Sequence, residues 1–171
     1  MIMKEPIVNK VAKSPIVTID LENFKTEGIK IFVDIGQWLD EGLVLREKEF
    51  RNLLKNHDWS QYINKYVALG CSSEIILPAW TTLLVTSYLS QYAKTVVLGN
   101  IIDLEKNLFF EKIKSLDLKP FENKPVIIKG CSDMTIPEDA YIQLLQRLQT
   151  VAKSLFYGEA CSSVPLWKVK N

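Results

Sequence analysis

The chain has 171 residues, of which 47% are hydrophobic and 24% charged, a composition typical of a globular protein of one domain. Its net charge is +1 without a basic cluster, which excludes the electrostatic pattern of a nucleic-acid-binding protein. No apolar run reaches membrane-spanning length, and three cysteines do not suit a disulfide framework. We therefore expect a cytoplasmic protein that binds neither nucleic acid nor membrane, with a protein partner or a homo-oligomer left open.

The β-rich N-terminal part covers residues 1–45. A short apolar run at 16–19 is followed by β-branched residues at every second position from Ile29 to Ile35, which alternate with Lys30, Phe32, Asp34 and Gly36, the period of a strand. Asp40-Glu41-Gly42 is a turn signal, and Leu43-Val44-Leu45 follows it as a further apolar run. These patterns predict an antiparallel hairpin with an N-terminal strand nearby.

The second part, 46–171, alternates between helical and strand periods. The spacing of its apolar residues predicts helices over 46–56, 79–92, 103–115 and 137–156, and strands over 66–69, 95–98, 126–129 and 164–169. Short apolar strands alternating with helices are typical of a parallel sheet with right-handed crossovers. The predicted fold is a single three-layer α/β domain with a mostly parallel sheet and the N-terminal hairpin, undivided by any internal repeat.

Three of the predicted strands end in glycine followed by a polar or thiol side chain. The endings are Gly70-Cys71-Ser72, Gly99-Asn100 and Gly130-Cys131-Ser132-Asp133. Ligands of open parallel sheets bind beyond the carboxyl ends of the strands. The sequence therefore predicts a site there, in which Ser72, Asn100, Ser132 and Asp133 surround a ligand and Cys71 and Cys131 are candidate metal ligands for zinc or an iron–sulfur cluster.

Two alternatives for the cysteines stay open. Cysteine is among the most buried residue types, so Cys71 and Cys131 also fit simple packing in the core. Cys161 follows the predicted helix 137–156, which should deliver it to the opposite edge of the sheet, so it joins the other two only through a returning loop. A cysteine nucleophile lacks its usual partner, because the only histidine, His57, is expected at that opposite edge.

Several segments of the chain are distinctive: 7–12, 56–62, 129–132 (Lys129-Gly130-Cys131-Ser132) and the stretches 151–154 and 158–165. Together they resemble a small bacterial family known as domain of unknown function 2480. The resemblance implies no activity and no site residues. Genes of this family can lie beside iron–sulfur assembly genes, so the resemblance implies a link to that process.

The sequence thus favours an accessory protein that binds a metal or small ligand through Cys71, Cys131 and Cys161. The alternatives are an interaction protein with core cysteines and a small thiol-dependent enzyme, so enzymatic activity stays open.

Overall fold

A computed structural model describes residues 16–130 and 136–170. Its helices and strands follow in this order: β1 (Val17–Asp20), β2 (Lys30–Asp34), α1 (Glu47–Asn56), β3 (Tyr66–Gly70), α2 (Ala79–Leu89), β4 (Thr95–Leu98), α3 (Ile101–Lys114), β5 (Pro125–Lys129), α4 (Glu138–Gln149), β6 (Ser154–Tyr157) and β7 (Val164–Lys168). The α/β class with mostly parallel strands is confirmed.

The strands form two sheets, where the sequence predicted one. One compact unit, here the central unit, comprises residues 26–108 and contains the sheet β2-β3-β4. The other, here the terminal unit, comprises the residues up to 25 and those from 109 onwards, and its sheet has the order β1-β5-β6-β7. The single-domain interpretation stays a prediction.

The predicted N-terminal hairpin is wrong. β2 pairs in parallel with β3, and β1 pairs in parallel with β5. The turn signal at 40–42 closes only an isolated antiparallel bridge between Asp40 and Val44. Alternation identifies which side chains share a face of a strand, but it carries no information about the pairing partner. The antiparallel pair lies instead at the other end of the chain, between β6 and β7.

The predicted helix 137–156 is two elements. α4 ends at Gln149, and Ser154–Tyr157 forms β6, which is parallel to β5. Leu155 fits both periods, since it continues the apolar face of the helix and also lies in the run Ser-Leu-Phe-Tyr, whose aromatic residues favour a strand. Pairing with β5 decides between them. The chain therefore returns to the carboxyl edge of the terminal sheet before Cys161.

Each unit has its own apolar core. In the central unit, Val67 and Leu69 of β3 pack with α1 and α2, whereas Ala68, on the other face of the strand, packs with Leu104 and Leu108 of α3. In the terminal unit, the buried side chains come from β1, β5, β6, α4 and the end of α3. They include Ile19, Val126, Ile128, Leu144, Leu148 and Leu155. The continuous apolar runs of β3 and β5 thus correspond to buried strands, as parallel pairing requires.

The two units repeat one set of backbone hydrogen bonds at one constant spacing along the chain. Three bonds of the central unit join Lys94 N–H to Lys65 C=O (2.9 Å), Ala93 N–H to Leu89 C=O (2.8 Å) and Gly99 N–H to Leu69 C=O (2.9 Å). Their counterparts in the terminal unit join Lys153 to Lys124 (2.9 Å), Ala152 to Leu148 (2.8 Å) and Gly158 to Ile128 (3.0 Å). Asn64 and Asn123, which correspond, both have positive φ. These shared bonds contradict the expectation of no internal repeat. The repeat is hard to recognise in the sequence, because most buried side chains differ between the two segments. Within the described residues, β7 has no counterpart in the central unit.

Candidate functional site

The carboxyl edge of the central sheet brings three loops together, of which the sequence predicted those after β3 and β4; the third predicted ending, at Gly130, follows β5 of the other sheet. The parallel register sets Asp34 opposite Gly70 and Leu69 opposite Leu98, so β2, β3 and β4 end side by side. The residues beyond these ends are Ile35, Cys71 and Gly99. The sequence correctly predicted that the loops after β3 and β4 are neighbours, since parallel strands share a carboxyl edge.

Asp34 and Ser72 join two of these loops by hydrogen bonds. The Oδ1 atom of Asp34 accepts from the N–H of Gly36 (2.8 Å) and the N–H of Ser72 (3.1 Å), and its Oδ2 atom accepts from the Ser72 hydroxyl. Burial raises the pKa of the Asp34 carboxyl, but the bonds from Ser72 and Gly36 outweigh that effect and hold the pKa below its ordinary value. Ser72, predicted to bind a ligand, is therefore bonded within the chain.

The sequence did not assign Asp34 to the site. The available signal was its position as the last residue of a strand, two residues before Gly36, where an aspartate caps a short turn of helix. The bond to Ser72 carries no such local signal.

The next residue, Ser73, connects the loop after β3 to the turn at 40–44. Its hydroxyl donates to the carbonyl of Gly42 at 2.9 Å. Leu43 and Val44 of that turn are 58% and 50% exposed, and Ile76 is fully exposed. We call Leu43, Val44 and Ile76 the edge surface. These three exposed apolar side chains lie on two loops that a hydrogen bond joins.

Cys71 is half-buried and lies between the edge and the core. It packs against the apolar cluster of the central unit. The residue before it, Gly70, is crowded, because a Cβ atom there would lie 2.9 Å from the ring of Phe32 and 3.3 Å from the carbonyl of Gly99. The thiol is free. Its surroundings match the packing alternative and still leave part of the residue accessible.

Asn100 caps α3. Its Oδ1 atom accepts from the N–H of Ile102 (2.7 Å) and the N–H of Asp103 (3.1 Å), while Asp103 Oδ2 accepts from the N–H of Asn100 (2.8 Å). This reciprocal pair satisfies donors that the first turn of a helix leaves unpaired. The predicted ligand-binding side chain therefore has a structural role in the described fold.

Cys161 belongs to the terminal unit, whereas Cys71 belongs to the central unit. It is exposed and follows β6, so it lies after the carboxyl end of a parallel strand and not at the opposite edge, where the sequence placed it. Cys131, Ser132 and Asp133 lie outside the described residues, and their roles stay predictions. Among residues 16–130 and 136–170, no group of three or more His, Cys, Asp or Glu side chains is placed to hold a metal ion.

His57 ends α1 and lies in an aromatic cluster of the central unit. Ring centroids of Trp38, Trp59 and Tyr62 lie 5.1, 4.7 and 5.7 Å from that of the imidazole. The Nε2 atom contacts the Tyr62 hydroxyl (2.9 Å) and accepts from the side-chain amide nitrogen of Gln61 (3.2 Å), which can only donate. Burial lowers the pKa of His57, and the charge of Asp58 partly opposes the shift. Burial and the amide donor both favour the neutral form of the imidazole, which covers the end of its helix.

Comparison with known protein families identifies the chain. The family model described as Protein of unknown function (DUF2480) matches residues 5–169, so the chain belongs to this family. No curated protein and no solved structure matches it. Across the two described ranges, no helix is both long enough and apolar enough to cross a membrane.

Proposed function

We propose that the protein is an accessory protein that holds a protein partner on the edge surface of the central unit. The observation that carries the proposal is the position of Ile76. Its neighbours Ile75 and Leu77 pack against the core of the unit, so the loop is anchored on both sides while Ile76 itself is fully exposed. An isoleucine held in solvent by partly buried neighbours costs hydrophobic free energy that contact with a partner would recover.

The rest of the edge surface supports the same function. Ser73 holds the loop of Ile76 beside the turn that carries Leu43 and Val44. The Asp40 carboxylate at the start of that turn pairs with Arg46 at 2.7 Å, which places a polar pair next to apolar side chains. An apolar centre with polar groups around it is the usual composition of a protein–protein interface.

The test is capture of the partner from the cells of origin with tagged full-length protein. We expect Ile76→Asp to lower the yield of one specific partner at least about tenfold, because a charge would enter the apolar contact. Leu83→Asp is the matched control, since Leu83 is 68% exposed on α2, outside the edge surface. Equal yields from the two variants, with thermal stability like that of the wild type, would overturn the proposal.

The second candidate is binding of a metal or small ligand through cysteines, with zinc or an iron–sulfur cluster as the cofactor. It is favoured by the access to the thiols, because Cys71 is half-buried at the carboxyl edge of one sheet and Cys161 is exposed after β6 in the other unit. Cys131, which follows Gly130 in the sequence, completes the predicted set. A link to iron–sulfur assembly belongs to this candidate.

Elemental analysis and an absorbance spectrum of anaerobically purified protein test the second candidate. Stoichiometric zinc or iron that is lost in a Cys71→Ser/Cys131→Ser variant would support it, and Cys161→Ser decides whether the third thiol belongs to the set. Metal-free protein with all three thiols unreactive until unfolding would contradict it. Metal-free protein with one fast-reacting thiol would favour a thiol-dependent enzyme instead.

A further inference from the structure

We propose that the terminal unit binds a nucleoside monophosphate in a cleft beside β7. The proposal is independent of the edge surface, which belongs to the central unit. The cleft has a volume of about 490 Å³, which lies within the range of small-molecule sites. It is lined by residues of three neighbouring strands and the residue before β6: Pro125, Lys153, Ser154, Phe156, Pro165, Leu166, Trp167 and Lys168.

Every polar side chain of the cleft can donate a hydrogen bond. Among the described residues no carboxylate lines it, whereas two lysines, Lys153 and Lys168, belong to its lining. Neither lysine forms an ion pair within the described part of the chain, and the hydroxyl of the buried Ser154 makes no hydrogen bond there. Register places Ser154 opposite Lys168 on one side and opposite Pro125 on the other. The cleft is therefore complementary to an anion with several acceptor oxygens, such as a phosphate.

The remaining lining favours a flat apolar group next to that anion. Phe156 pairs with Pro165 across β6 and β7, beside an irregularity in the register at Leu155 and Phe156. An aromatic ring with rigid proline and aliphatic neighbours suits the face of a nucleobase, which stacks on aromatic side chains. A nucleoside monophosphate joins a planar base to a phosphate in one molecule of suitable size.

The internal repeat indicates that the cleft is an addition to the duplicated unit. In the central unit, the counterpart of Lys153 is Lys94, whose ammonium lies over the ring of Tyr66, 5.3 Å from its centroid. The counterpart of Tyr66 in the terminal unit is Pro125, so that contact is absent there. β7, which supplies Pro165, Leu166 and Lys168, has no counterpart among the described residues. In the terminal unit, Lys153 therefore lacks the aromatic ring that Lys94 contacts, and β7 adds a second lysine, Lys168, to the same cleft.

Titration of the full chain with adenosine 5′-monophosphate, followed by backbone amide NMR, tests the proposal. We expect the resonances of Ser154, Phe156 and Lys168 to shift. Lys153→Gln and Lys168→Gln should each weaken binding about tenfold through loss of a charge-assisted hydrogen bond. Lys94→Gln, the matched control in the other copy, should leave the affinity unchanged.

Adenosine and inorganic phosphate, the two parts of the nucleotide, are titrated separately to identify which group the cleft recognises. Weaker binding of both adenosine and inorganic phosphate than of the whole nucleotide would support the proposal. Three results would overturn it: no shifts at millimolar nucleotide, equal loss of affinity in Lys94→Gln, or tighter binding of a short single-stranded oligonucleotide, which would make a nucleic acid strand the ligand.

Discussion

At the scale of the residue, Asp34 and Ser72 illustrate a polar pair that holds the edge of a sheet. The carboxylate accepts from two backbone N–H groups and one hydroxyl, which leaves little of its hydrogen-bonding capacity for a ligand. Ser72 is exposed, yet its hydroxyl is directed to the carboxylate. The pair therefore stabilises the loop that carries Cys71, and any partner at this edge meets a loop of defined shape.

Replacement of Ser72 should measure this contribution. We expect Ser72→Ala to lower the free energy of unfolding by about 1 kcal/mol, because Asp34 Oδ2 loses its donor. The pKa of Asp34 should rise at the same time. In the wild type, the lowered pKa of Asp34 stabilises the folded state at pH values above the pKa of this carboxyl in the unfolded state. The stabilisation is lost as the pH falls through the pKa of the carboxyl in the folded state. Urea unfolding and a carboxyl NMR titration measure the two effects.

Ser90→Ala, at an exposed serine without a side-chain bond within the described chain, is the control. An equal loss of stability in that variant would contradict the role assigned to Ser72.

His57 makes a second prediction at this scale. Its lowered pKa means that the unfolded state binds the proton more tightly, so stability should decrease as pH falls through the ordinary histidine value of about 6.5. Urea midpoints at about pH 7.5 and about pH 5.5 should differ in the wild type and differ less in His57→Gln. Because the chain has one histidine, an unchanged slope in the variant would show that the imidazole is not the responsible group.

At the scale of the element, α3 depends on its first turn. Gly99 has a φ of +130°, and a side chain there would collide with the Asp103 carboxylate. The glycine at this strand end therefore serves the entry into the helix, while Gly70 permits close approach between strands. The sequence predicted a ligand site from both glycines, since the two uses look alike in a single chain.

A substitution at Asn100 separates the capping role from ligand binding. We expect Asn100→Ala to destabilise the protein by about 1 kcal/mol through loss of the cap, and Asn100→Asp to retain the stability because aspartate caps equally well. Thermal unfolding in the absence of any ligand measures both. If Asn100→Ala were as stable as the wild type, the capping role would be contradicted and Asn100 would again be a candidate ligand-binding residue.

At the scale of the whole molecule, the segment β3-α2-β4 of the central unit and the segment β5-α4-β6 of the terminal unit share one arrangement of strands and helix. Leu89 and Leu148 occupy equivalent positions, are both fully buried, and accept the same helix-ending bonds from Ala93 and Ala152. Conserved backbone bonding with different side chains explains why the repeat was missed. Gly-Cys-Ser recurs 60 positions apart (Cys71 and Cys131), whereas the shared backbone bonds recur 59 positions apart (Leu89 and Leu148), so this recurrence is one residue out of their register. Apolar strands of one period also look similar whether or not they are copies.

Hydrogen exchange in two core variants tests the single-domain proposal. Leu89→Ala and Leu148→Ala should each cost about 3 kcal/mol, through lost burial and the cavity that remains. If the chain is one cooperative domain, each variant lowers the protection of strands in both units to the same extent. Loss of protection confined to β3 and β4 in Leu89→Ala, and to β5 and β6 in Leu148→Ala, would make the units separate domains.

The sequence by itself determined the α/β class, the parallel strands that end in glycine, and most of the helices, because these follow from local periodicity. Tertiary structure decided the pairing of β1 with β5 and of β2 with β3, since apolar alternation is the same for every partner. It also decided where α4 ends and β6 begins, through pairing with β5. The bond between Asp34 and Ser72 joins residues 38 positions apart, and only the parallel register that aligns the ends of β2 and β3 brings their side chains within reach.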